Sequence, residues 1–60
     1  MRTEVYYKIE VQDGGRWQDF RGYEYREETW RDSIAVLRQE FPGYLFRPMK
    51  YTVTIEEVKE

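Results

Sequence analysis

The sequence predicts an α+β fold of the ββαβ type, a three-stranded antiparallel sheet in the order 2-1-3 with one helix packed on one face. Three observations predict it. Apolar residues alternate over residues 3–11, a pair of glycines follows, and an apolar stripe of helical spacing occupies residues 27–41. The chain of sixty residues has no linker, repeat or low-complexity stretch, so residues 1–60 are expected to form a single domain.

The first hairpin is predicted from period-two alternation followed by turn residues. Residues 12–15 read Gln-Asp-Gly-Gly, and glycine tolerates the positive φ angles that tight hairpin turns require. One face of the first strand is expected to carry Thr3, Val5, Tyr7, Ile9 and Val11, and the other face Glu4, Tyr6, Lys8 and Glu10.

The second strand is predicted over residues 16–25, with an irregularity. Trp17 and Phe20 are three residues apart, so strict alternation would place these two large rings on opposite faces. A bulge near Asp19 or Gly22 would bring more of the aromatic rings to the core side.

The helix is predicted over residues 27–41 from an apolar stripe at spacings of four, three and four residues. The stripe consists of Trp30, Ile34, Leu37 and Phe41. Thr29 with Asp32 offers an alternative capping pair, which would start the helix later. Pro42 and Gly43 end it.

The third strand is predicted over residues 44–58, because Tyr51, Val53 and Ile55 alternate with polar residues. Pro48 cannot donate to a ladder, so this strand must bend there or lie at an edge. A right-handed crossover through the helix delivers the strand beside the first one, which gives the order 2-1-3.

One helix covers only one face of such a sheet. The opposite face is expected to carry Tyr6, Lys8, Thr52 and Thr54, together with part of the second strand. This face is either solvated or a protein-binding face or dimer seam, and Tyr, Trp and Arg are the residue types that dominate interface hot spots. The residues expected to contribute to partner binding are Tyr6, Trp17, Arg21, Tyr44, Arg47 and Tyr51.

The residue types argue against an enzyme. The chain has no Cys and no His, which removes disulfides, thiolate metal sites and the usual catalytic bases, and Ser33 has no base near it in sequence. Glu28 and Asp32 could bind a hard cation weakly, but a solvated helix start explains them better. We therefore expect no catalytic residues, no metal site and no cofactor.

Charge and hydropathy narrow the partner class. Ten basic and twelve acidic residues are well mixed and give a net charge of −2, which is no strong footprint for nucleic acid or membranes. Arginines interleaved with aromatic rings keep a single-strand nucleic-acid binder open as an alternative, and a structural homo-oligomer as another. The chain starts with Met and lacks an apolar leader or an apolar run long enough for a membrane span. It is therefore expected to be a complete reading frame and a cytoplasmic protein.

The layout also carries a resemblance. A bare hairpin passes through residues 14–17, Gly-Gly-Arg-Trp, and one helix ends in Leu-Arg-Gln-Glu-Phe-Pro at residues 37–42. An Arg- and aromatic-rich strand follows. This combination resembles the small accessory proteins that bacteriophages and mobile elements encode, some of which are anti-CRISPR or other anti-defence inhibitors. The resemblance implies a stoichiometric inhibitor that occludes a partner's surface, in the cytoplasm of the host cell; it assigns no site residues.

Overall fold

The computed structural model describes residues 1–59 and has the predicted ββαβ architecture. Its elements are β1 (Arg2–Asp13), β2 (Arg16–Asp19), α1 (Trp30–Glu40) and β3 (Phe46–Ile55). The sheet order is β2-β1-β3, and both strand pairs are antiparallel. The predicted fold class and strand order are therefore confirmed.

The turn between β1 and β2 is a two-residue hairpin loop. Gly14 and Gly15 have φ angles of 59° and 81°, and Asp13 pairs with Arg16 to close the loop. Positive φ at both central positions defines the turn type whose twist matches that of the flanking strands. Residues other than glycine rarely adopt this conformation, so the pair Gly14–Gly15 determines where the chain turns.

The second strand is shorter than expected, since it ends at Asp19 and does not continue to Tyr25. Arg21 and Gly22 both have positive φ angles, 65° and 71°, and turn the chain out of the sheet. The chain returns at Tyr25, whose backbone exchanges two hydrogen bonds with Tyr7, of 2.8 and 2.7 Å. If the β1–β2 register continued, residue 22 would lie opposite Tyr7, but Tyr25 lies there. Three extra residues are therefore inserted where a bulge was expected.

The helix begins at Trp30 and not at residue 27, which bears out the alternative, later start. The expected capping pair does not form. Thr29 occupies the cap position without a side-chain cap, and its Oγ1 instead accepts from the Arg26 N–H at 3.2 Å and donates to the Arg26 carbonyl at 3.3 Å. These bonds stabilise a turn before the helix and leave Asp32 exposed.

The apolar stripe of the helix packs on the sheet as predicted. Ile9 of β1 has no exposed surface, and Ile34 and Leu37 of the helix cover it together with Phe46 of β3. Partly buried side chains surround this core, and they are Val11, Phe20, Tyr25, Trp30 and Phe41.

The third strand begins at Phe46 and ends at Ile55, within the expected residues 44–58. Pro48 lies inside it, opposite Ile9. The Ile9 carbonyl accepts from Phe20 on the β2 side, so the Ile9–Pro48 pair is one that exchanges no hydrogen bonds. The proline ring nitrogen therefore faces the outer edge of β3, where a missing N–H costs no ladder bond.

The sheet is much longer than the helix that covers it. Eleven helical residues span about 16 Å, whereas the twelve residues of β1 span about 40 Å. The helix therefore covers only the end of the sheet that also carries β2, here called the packed end. Residues 2–6 pair with residues 51–55 as a two-stranded ribbon beyond it, here called the ribbon end. The molecule is accordingly elongated, with extents of 51 × 26 × 13 Å.

Candidate functional site

The candidate site is the face of the sheet opposite the helix, here called the open face. Directly paired residues of neighbouring strands point to the same face, so the register determines its members. They are Arg2, Glu4, Tyr6, Lys8, Glu10, Gln12, Trp17, Asp19, Arg47, Met49, Tyr51, Val53 and Ile55.

The expectation for β3 on this face is wrong. Thr52 and Thr54 lie opposite Val5 and Thr3, which places both threonines on the helix side. Phe46 explains the inversion: it points into the core, and every second residue after it points to the same side because no bulge interrupts β3. The apolar half of the strand therefore points away from the helix, and it consists of Tyr51, Val53 and Ile55.

Arg47 organises the packed end of the open face. Its Nε donates to Oε1 of Glu10 at 2.8 Å, and its Nη2 lies 2.7 Å from the same oxygen. The Glu10 side chain is only 17% exposed, whereas that of Arg47 is 42% exposed. The guanidinium lies over the Trp17 ring, with Cζ 4.2 Å from the centroid. The ion pair and the ring together hold an Arg–Trp platform at the surface.

Tyr6 and Tyr51 form a second aromatic unit further along this face. They are direct cross-strand partners, and their rings stack with centroids 5.1 Å apart and planes 3° from parallel. Tyr51 and the next apolar residue on the same side of the strand, Val53, are each 37% exposed. The ribbon end of the open face is therefore an apolar and aromatic strip without cover.

The charges of the open face are balanced locally. Lys8 Nζ lies 3.8 Å from Asp19 Oδ1, and Arg2 Nε lies 3.2 Å from Glu4 Oε1. With the Arg47–Glu10 pair, each of the three basic side chains on this face has an acidic partner. The surface therefore mixes apolar rings with locally compensated charge.

The six residues expected to bind a partner divide between two places. Tyr6, Trp17, Arg47 and Tyr51 lie together on the open face. The other two are not part of it. Arg21 lies in the turn after β2, with its Cζ 4.8 Å from the Phe20 ring centroid, and Tyr44 packs edge-on against Phe41 at 6.3 Å.

Nine members of the open face are absent from the sequence-based list of contributors, and they include Glu10, Met49, Val53 and Ile55. Glu10 gave no separate signal, because a lone acid within a strand is ordinary. For the three β3 residues a signal existed: they share a period of two with Arg47 and Tyr51, so placing those two on one face places all five there.

Behind the sheet, one pair of titratable groups ties β1 to the turn before the helix. Hydrogen bonding of the Tyr7 hydroxyl to Glu27, with burial adding to it, raises the pKa of Tyr7. The same bond lowers the pKa of the Glu27 carboxyl. The Trp30 ring stacks on Tyr7 at 5.5 Å and 23°. These contacts fix the helix over the packed end and leave the open face untouched.

Within residues 1–59, no group of three or more His, Cys, Asp and Glu side chains is arranged to hold a metal ion. The helix in this part of the chain is too short and too polar to cross a membrane. No protein-family model matches the chain, and no match was found among curated proteins or among solved structures.

Proposed function

We propose that this chain is a small non-enzymatic module that binds another protein through the open face of its sheet. The observation that carries the proposal is the second half of β3, which directs Tyr51, Val53 and Ile55 to the face opposite the helix. The helix is too short to cover residues 51–55, and Tyr51 and Val53 are each 37% exposed, so these side chains are open to a partner.

The open face has the composition of a protein contact surface. Trp17 and Arg47 form a platform next to the partly buried Glu10 carboxylate, and the stacked pair of Tyr6 and Tyr51 forms a second one. Tyr, Trp and Arg anchor most interfaces because they bury large areas with few rotatable bonds. Compensated charges around them supply hydrogen bonds without a demand for one sign of charge in the partner.

The mechanism that fits such a surface is occlusion: the chain covers a patch of its partner and blocks what binds there. The resemblance to phage and mobile-element accessory proteins favours this reading, including an anti-CRISPR or anti-defence role in the host cytoplasm. No part of the proposal requires a catalytic group, a metal or a cofactor.

The test is affinity capture with matched variants. The intact chain, immobilised, is expected to retain one stoichiometric protein from a lysate of the source cells. Tyr51→Ser on the open face should lose that protein, whereas Tyr44→Ser, the same substitution at a more exposed tyrosine off this face, should keep it. Loss with both variants, or with neither, would count against the open face as the binding surface.

The alternative is a single-stranded nucleic-acid binder, since exposed rings on a sheet can stack bases. A labelled oligonucleotide separates the two classes by fluorescence anisotropy. Binding at low salt that weakens steeply as salt rises, and that disappears with Tyr6→Ser, would replace the protein-binding proposal. The local pairing of each basic side chain on this face favours the absence of such binding.

A further inference from the structure

The outer edge of β3 differs between its two halves. Strand hydrogen bonds alternate in direction, so the backbone groups of every second residue point away from β1. The hydrogen bond from the Gln12 N–H to the Leu45 carbonyl, on the β1 side, fixes which residues these are. They are Phe46, Pro48, Lys50, Thr52 and Thr54.

The packed end of this edge is closed to strand pairing. Arg38 of the helix donates from Nη2 to the Phe46 carbonyl at 3.0 Å, and Pro48 has no N–H to offer. These are recognised ways of preventing edge-to-edge pairing. The ribbon end of the edge has neither device. The five residues 51–55 contain no charge, proline or glycine, and all of them are aromatic or β-branched.

The segment over residues 50–56, Lys-Tyr-Thr-Val-Thr-Ile-Glu, is complementary to itself when read antiparallel. With Val53 at the centre, Val53 lies opposite Val53 of a second copy and Tyr51 lies opposite Ile55. The same register places Lys50 opposite Glu56, at both ends of the segment. Cross-strand pairs of aromatic with β-branched residues and of opposite charges are the stabilising ones.

The hydrogen-bond directions agree with this register. Thr52 lies opposite Thr54 of the second copy, and both residues direct their backbone groups outward, as a hydrogen-bonded antiparallel pair requires. Because the strands run in opposite directions, the packed ends of the two copies lie at opposite ends of the combined sheet, and their helices do not meet.

We propose that a second copy of this chain pairs with residues 50–56 to form a symmetric dimer with a continuous six-stranded sheet. The dimer uses the edge of β3 and not its face, so this inference is independent of the proposed function. It joins the two open faces into one surface. It also supports the ribbon end, because a two-stranded ribbon is marginally stable in water.

Cross-linking tests the pairing directly, because the chain has no cysteine of its own. In the proposed register two Val53 residues face each other as a pair without hydrogen bonds, with Cα atoms about 4.5 Å apart, which a disulfide can bridge. Val53→Cys is therefore expected to oxidise to a covalent dimer. Val36→Cys, on the exposed face of the helix at 49% exposure, is the matched control and should stay monomeric. Equal dimer yields from the two variants would overturn the proposal.

Charge reversal tests the register without a covalent bond. Sedimentation of the wild-type chain over a concentration series is expected to show a doubling of mass. Lys50→Glu places an acid opposite Glu56 of the second copy at both ends of the paired segment. It should therefore weaken association by about tenfold. Lys50→Glu with Glu56→Lys should restore it. A wild-type chain that stays monomeric up to about 1 mM, or a double variant that stays as weak as the single one, would overturn the pairing.

Discussion

Strands β1 and β3 run through both the packed end and the ribbon end, yet the two ends differ in how much of their surface is covered. Ile9 and Val5 lie on the same strand and the same face, four residues apart. Ile9 has no exposed surface, whereas Val5 is 50% exposed. The difference is the cover: the helix packs over one end only, and β2 lies beside β1 at that same end. The comparison teaches that strand pairing continues where packing stops, and that the uncovered part is free for other contacts.

The largest predicted difference in the free energy of unfolding comes from truncating one apolar side chain to alanine at each end. Ile9→Ala should lower the free energy of unfolding by about 2–5 kcal/mol, because it removes a buried side chain and leaves a cavity. Val5→Ala should cost under about 1 kcal/mol, because that side chain is half in water already. Urea unfolding measures both. Similar losses would mean that the ribbon end has a core of its own.

A smaller effect is expected for the stacked tyrosines. Tyr6→Thr and Tyr51→Thr each introduce a β-branched residue, which suits a strand, and remove the stacking. In a double-mutant cycle the two changes should couple by about 0.5–1.5 kcal/mol. A coupling near zero would show that the rings do not stack in solution, and the aromatic strip of the open face would then be less ordered than described.

The Arg–Trp platform should contribute slightly less. Trp17→Leu removes the ring under Arg47 while keeping an apolar side chain, and should cost about 0.5–1 kcal/mol. Arg2→Ala breaks an ion pair in which both side chains are more than half exposed, and should cost close to nothing. Urea unfolding of the two variants, side by side, checks the difference. Equal losses would place Arg47 among ordinary surface charges.

The smallest effect is a pH dependence from Tyr7 and Glu27. The pKa of Glu27 is lowered by the hydrogen bond from Tyr7, so its contribution to stability is full above the ordinary value of 4.5 and is lost as pH falls through the folded pKa. The pKa of Tyr7 is raised by the same bond, so its contribution is full below 10.0 and is lost as pH rises further. Between pH 4.5 and pH 10.0, the contribution of Tyr7 and Glu27 to the free energy of unfolding should therefore be constant.

Two substitutions check this pH dependence. Glu27→Gln should flatten part of the acid limb of a plot of urea midpoint against pH. Glu28→Gln removes the neighbouring acid, which is not hydrogen-bonded to Tyr7, and should leave that limb in place. If the two variants give the same curve, the Tyr7–Glu27 bond does not contribute to folding.

Much of the fold could be predicted because local signals coincide with tertiary ones. The alternation of β1, the glycine pair and the helical stripe each agree with the packing they enter. The end of β2 and the start of the helix were missed for local reasons. Arg21 adopts a positive φ that sequence patterns do not favour, so the early end of β2 was hidden. Thr29 bonds to Arg26 instead of capping the helix, so the acids at residues 27 and 28 form a turn.

The candidate site was harder to predict because it depends on register. From the sequence, either set of alternate β3 residues could face the helix, and the set with Tyr51, Val53 and Ile55 was expected to do so. The helix is too short to reach residues 51–55, so burial does not select the face there, and the side that Phe46 occupies decides it. Four of the six expected binding residues lie on the open face. Arg21 and Tyr44 lie elsewhere because they belong to loops, where period-two reasoning does not apply.

Amide hydrogen exchange along β1, at concentrations too low for association, tests the central claim most directly. The amides of Glu4 and Glu10 bond to the same neighbouring strand, at the ribbon end and at the packed end respectively. The amide of Glu10 is predicted to exchange only with global unfolding, and that of Glu4 at least about tenfold faster by local opening. Equal protection of the two amides in the dilute monomer would contradict the account.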